Sequence, residues 1–122
     1  MDFFQNKLIT KRGEMEFKYK IQDVKHYDDL HIVMLNIPNT ADEVDNVYGV
    51  NEDGNIVWRI ENPVEAFNIS SDAKGYDYYK KSIYVGFLEP GGNILYVVTF
   101  SGMKYQLNCV NGKLLKVAQS RW

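Results

Sequence analysis

The stretches Tyr48-Gly49-Val50-Asn51-Glu52-Asp53-Gly54-Asn55-Ile56-Val57-Trp58 and Tyr105-Gln106-Leu107-Asn108-Cys109-Val110-Asn111-Gly112-Lys113-Leu114-Leu115 constrain the fold more than any other feature. Both carry tyrosine, an aliphatic residue, asparagine, glycine and two aliphatic residues in the same order, with one residue inserted before the second turn. Short apolar runs flanking a glycine-bearing polar knot describe a β-hairpin, because glycine adopts the positive φ that a tight reversal requires. A strand-prone run precedes each hairpin, Ile32 to Ile37 and Ile94 to Phe100. A further strand precedes that, Glu16 to Val24 and Ser82 to Leu88. The unit is therefore four antiparallel strands, and it occurs twice, over residues 15–61 and 82–118.

Local patterns fill in this outline. Alternation from Glu16 to Val24 puts Phe17, Tyr19 and Ile21 on one face of an extended strand. His31 to Ile37 is rich in β-branched residues and stopped by Pro38, as expected of a more fully buried strand. In the second hairpin arm Ile56, Trp58 and Ile60 face one way and Val57, Arg59 and Glu61 the other. Pro90-Gly91-Gly92-Asn93 and Asn111-Gly112 mark tight turns. Between the two units, Asn62-Pro63-Val64-Glu65 offers an N-cap, a proline at the first helical position and an acid, which predicts one short helical turn. Ser70 to Lys81 reads as a loop with room for a second short helix. The expectation is an all-β domain over residues 1–122, with two four-stranded antiparallel meanders packed as a sandwich or as a partly open barrel.

Tyr48-x-Val50-x5-Ile56-Val57-Trp58 around Asp53-Gly54 resembles the blade signature of quinoprotein-type β-propellers, in which a tyrosine strand, a DG or TG turn and a following tryptophan recur in every blade. The same hairpin, NVY…DGNIVWRIE, resembles that of a group of small bacterial proteins of uncharacterised function. The second copy departs from the signature, with Leu115 in the place of the tryptophan. A propeller ring needs roughly four to eight blades, and the chain has material for two. The resemblance thus implies propeller-like hairpins and carries over no quinone cofactor.

Composition narrows the chemistry. A chain of 122 residues, 45% hydrophobic and 25% charged, has the makeup of a soluble globular domain and contains no apolar stretch long enough to span a bilayer. Its formal net charge of -2 provides no overall attraction for nucleic acid or anionic membrane. Met1-Asp2-Phe3-Phe4-Gln5-Asn6-Lys7 has an acid where a signal peptide needs bases, and the single Cys109 has no internal disulfide partner, so a cytoplasmic location is expected. His26 and His31, five residues apart, fall on opposite faces in regular extended geometry. With Cys109 they supply too few ligands for zinc and no local nucleophile signature. The acidic runs Asp42-Glu43-Val44-Asp45-Asn46 and Asn51-Glu52-Asp53-Gly54-Asn55 lack the spacing of a calcium loop and read as solvated turns. Pro90 to Asn93 lacks the lysine and helix of a phosphate-binding loop. No catalytic residue, metal or cofactor is therefore assigned.

Tyr76-Asp77-Tyr78-Tyr79-Lys80-Lys81 interleaves aromatic and basic residues. Such a pattern can stack single-stranded bases, but Asp77 and the acidic balance weigh against nucleic acid. Tyrosines also cover the open end of a core, or contribute contact area to a protein interface at low entropic cost. The favoured expectation is a non-enzymatic interaction module contacting a protein partner through Tyr76, Tyr78, Tyr79, Lys80 and Lys81. Exposed sheet edges add homodimerisation. By analogy with small bacterial proteins of this kind, an immunity or regulatory role is expected. The alternative is a small-molecule binding or catalytic β-barrel with a site at one mouth, near Tyr48, Trp58 and Tyr105.

Overall fold

The computed structural model describes residues 3–38, 44–91 and 94–118. Asp42 and Glu43 of the first acidic run, and Gly92 and Asn93 of the proline-glycine turn, lie outside the described residues. The chain forms three antiparallel sheets in succession. The first holds β1 (Phe3–Phe4), β2 (Lys7–Ile9) and β3 (Glu14–Glu16). The second is β4 (Ile21–Tyr27), β5 (Leu30–Leu35), β6 (Val47–Val50) and β7 (Ile56–Arg59). The third is β8 (Tyr84–Gly91), β9 (Ile94–Thr99), β10 (Lys104–Leu107) and β11 (Leu114–Ala118). Both four-stranded sheets are simple meanders, and no barrel closes among the described residues.

Strand β5 explains the layering. Its alternate residues enter two different cores: Ile32 and Met34 meet Leu95, Val97, Tyr105 and Leu107 of the third sheet, while Val33 and Leu35 meet Leu8 and Phe17 from the N-terminal segment. A strand covered on both faces needs a continuous apolar run rather than alternation, which is what Ile32 to Leu35 provides. The two four-stranded sheets thus form the expected sandwich. The small N-terminal meander, which the sequence reading did not anticipate, covers the other side of the middle sheet.

That meander also divides the strand expected from Glu16 to Val24. Ladder pairing stops at Glu16 and resumes at Ile21, and Phe17 and Ile21 instead donate backbone hydrogen bonds to Asn6 (2.8 Å) and Gln5 (2.7 Å). Phe17 and Ile21 are still buried in one core with Tyr19 against it. The alternation reported the shared face correctly, but the segment crosses between sheets.

Helix α1 (Pro63–Ala66) starts as expected: the Asn62 side chain accepts from the Val64 amide at 3.0 Å, with Pro63 in the first turn. Helix α2 (Tyr76–Lys81) follows. At the β4–β5 reversal Asp28 takes φ 53°, Tyr27 pairs with Leu30 and His26 pairs with His31. The two imidazoles therefore share a face, with centroids 4.7 Å apart. The hairpin reversal between them overturns the opposite-face expectation.

The polar knot at Asn51 to Asn55 is gripped rather than freely solvated. Asn51 Oδ1 accepts from the Asp53 and Asn55 amides at 3.0 Å, shaping the turn from within. From outside, the Glu52 carbonyl accepts from the Arg12 amide (2.8 Å) and Thr10 Oγ1 (2.9 Å), and Arg12 Nε meets Asp53 Oδ1 at 2.6 Å. Glu52 Oε1 lies 2.7 Å from Nε2 of buried His31 and accepts from the Lys11 amide at 3.2 Å. These contacts, the histidine first, hold the Glu52 carboxyl below its ordinary pKa. A depressed carboxylate contributes stability that is present above its unfolded pKa and disappears as pH falls through the folded one. Wild-type protein and Glu52→Gln are therefore expected to differ most in melting temperature near neutrality and to converge toward about pH 3. A constant gap across that titration would show that the Glu52 charge is not what stabilises this turn.

Candidate interaction surface

Among the tyrosines of the central connection, helix geometry decides which are presented outward. Tyr79 is half-buried against the core shared by the two large sheets. Neighbouring helical residues point about 100° apart, so anchoring Tyr79 turns Tyr78 to solvent, where it is 66% exposed. Asn62 Nδ2 holds the end of α2 by donating to the Lys80 carbonyl at 3.1 Å and to Asp45 Oδ1 at 3.0 Å. Tyr76 is half-buried, and Lys80 and Lys81 are exposed. Lys81 lies 3.8 Å from Asp77 one helical turn away.

A residue absent from the sequence reading completes the surface. Phe100, in the β9–β10 turn, is 73% exposed and lines with Tyr78, Ile83 and Ser101 a depression of about 420 Å³ beside α2. Its position is fixed by short-range bonds: the Phe100 amide donates to the Ile83 carbonyl at 2.8 Å, and Ser82 Oγ donates to Ser101 Oγ at 2.9 Å. The sequence signal was present, since Phe100-Ser101-Gly102 places a large apolar residue at a turn, where burial is hard to achieve. The structure brings Tyr78, Lys81 and Phe100 together and leaves Tyr79 in the core.

The residues of the small-molecule alternative do not converge. Trp58 and Tyr105 lie in the core between the large sheets, whereas Tyr48 packs on Phe17 on the other face of the middle sheet, beneath the Arg59 guanidinium. Tyr105 is buried edge-on to Tyr84. Neither hydroxyl has a hydrogen-bond partner among the described residues, and burial pushes both pKa values up. A wider concavity, about 700 Å³, opens elsewhere, between the β4–β5 reversal and the β10–β11 turn. There Lys25 Nζ lies 2.9 Å from Glu89 Oε1 and holds that carboxyl low, while Tyr27 donates to Glu89 Oε2 at 3.1 Å. Desolvation, then Glu89, pushes the Tyr27 hydroxyl up to about 12. Burial, then Glu89, pushes the Cys109 thiol up to about 11. Alkylation of Cys109 by iodoacetamide at neutral pH is therefore expected to be about a hundredfold slower than that of a free thiol. A rate equal to that of a small-molecule thiol would place Cys109 in the open. No three His, Cys, Asp or Glu residues cluster as a metal would require among the described residues, and no helix there is long and apolar enough to cross a membrane.

Fold and surface together define a class: an all-β stack of antiparallel meanders with an aromatic patch beside a short helix. The chain belongs to the family described as Domain of unknown function (DUF7957), whose model matches residues 1–118. No curated protein and no solved structure matches it.

Proposed function

We propose that the chain is a non-enzymatic protein-interaction module of the bacterial cytoplasm, of immunity or regulatory type, built on a duplicated four-strand unit. The observation that carries this reading is the pairing of Tyr78 and Phe100, both more than half exposed, around one apolar depression with Lys81 at its edge. Large rings at a rim that offers both apolar area and hydrogen-bonding groups suit protein recognition. The test is affinity capture from native lysate with wild-type chain and with Tyr78→Ala/Phe100→Ala. Loss of one partner from the variant is expected, and recovery of every partner at equal yield would count against the surface. Tyr79 is unsuitable for this test, because truncating a ring packed on the core would also lower stability. The competing reading, a small-molecule site, draws on the cleft around Tyr27 and Glu89. Ligand-induced stabilisation in a metabolite screen that is abolished by Tyr27→Phe would favour it.

A further inference from the structure

We propose that the outward face of the third sheet docks on the outward face of the N-terminal sheet of a second copy of this chain. Strand β9 is apolar on both faces like β5; on its outward side Val98 is buried, while Ile94 and Tyr96 are half-buried. Leu95 and Val97 enter the shared core, and Ile94, Tyr96 and Val98 alternate away from it. Register places Leu88 beside Tyr96 and Gly86 beside Val98, extending the apolar stripe onto β8. On the other side Lys104 pairs with Val98, and Lys116 lies opposite Gln106, so the stripe is bordered by two ammonium groups. Lys104 Nζ sits 5.0 Å from the Tyr96 ring centroid, over the stripe itself. These outward strand positions hold no carboxylate.

The free face of the N-terminal sheet is its complement. Phe3, Leu8 and Met15 turn inward, leaving Phe4, Lys7, Ile9, Glu14 and Glu16 outward. Phe4 is 70% and Ile9 49% exposed, although a sheet face that meets only water ordinarily carries polar residues. Lys7 is engaged by Glu14 at 3.5 Å, which leaves the Glu16 charge to dominate. One face therefore offers apolar side chains and cations, the other apolar side chains and a net negative charge. Charge complementarity of this kind fixes orientation and rejects like-with-like stacking. Each copy carries one face of each kind, so the contact is head-to-tail.

The test is analytical ultracentrifugation of the full chain over a concentration series. Association with a dissociation constant on the order of 10 µM is expected, as suits a small interface. Lys104→Glu and Glu16→Lys are each expected to weaken it by about tenfold or more. An equimolar mixture of the two variants is expected to associate as well as wild type, because each reversed charge then meets the other. A chain that stays monomeric at millimolar concentration, a reversal without effect, or a mixture that fails to recover would overturn the proposal. Should Lys104→Glu melt early, Lys116→Glu carries the same test. Tyr78→Ala/Phe100→Ala is expected to associate normally, which separates this contact from partner capture.

Discussion

Trp58→Ala is expected to destabilise the fold by about 3–5 kcal/mol, the range for truncating a large buried aromatic ring, and to lower the melting temperature by on the order of 10 °C or more. The ring belongs to β7 of the middle sheet, but much of its surroundings belongs to the third sheet. Its indole Nε1 donates to the Cys109 carbonyl at 3.1 Å. Gly49, its cross-strand partner, and Gly112, in the opposite turn, both lie so close that a Cβ would collide with the ring; at Gly112 that atom would be 2.5 Å from Trp58 Cε3. Gly112 also holds φ 77°, so Gly112→Ala is doubly penalised, by backbone strain and by the ring. Trp58→Phe keeps much of the apolar contact and forfeits the hydrogen bond, so its effect should fall between wild type and alanine. A melting curve unchanged by Trp58→Ala would mean that the two sheets are held by something other than this ring.

Asn46→Asp is expected to be comparably damaging although it changes almost no volume. Asn46 is fully buried, and its Nδ2 donates to the carbonyls of Leu35 (2.7 Å) and Tyr84 (2.8 Å) while its Oδ1 accepts from the Tyr84 amide at 2.8 Å. The side chain thus takes the place of a ladder partner for Tyr84 and ties the start of the third sheet to the end of β5. A carboxylate there would present oxygen to two carbonyl oxygens in a dry site, an uncompensated buried charge costing about 3–5 kcal/mol. The sign of the pH dependence identifies the cause. The introduced acid has a folded pKa raised above its unfolded value, so the neutral form is the tolerated one. Stability is then lost as pH rises through the folded pKa. The deficit of the variant relative to wild type should therefore shrink on acidification from pH 7 toward about pH 4. A deficit independent of pH would point to altered packing instead.

The sequence was most legible where one physical cause acts alone. Gly54 and Gly112 both take the positive φ that their turns demand, and Asn62 Oδ1 caps its helix through a partner only two residues away. Asn51 and Asn108 each accept from the amide two residues on, at 3.0 and 2.9 Å, so the asparagine shared by the two hairpins does the same local work in both. Legibility failed where tertiary contacts decide. Asn46 reads as one more polar residue in an acidic run until its three buried hydrogen bonds, to Leu35 and Tyr84, are seen. The N-terminal meander escaped because strands of two or three residues are too short to display a period. Phe100 joined the candidate surface only when the turn carrying it was brought beside α2, across about twenty residues of chain.

The burial of β5 on both sides has a consequence for how this chain tolerates change. In an exhaustive substitution library, strands with one wet side should show a two-beat rhythm of permissive and forbidden sites. From Ile32 to Leu35 that rhythm should vanish, each position rejecting polar replacements, because neither parity of the strand has water to turn toward.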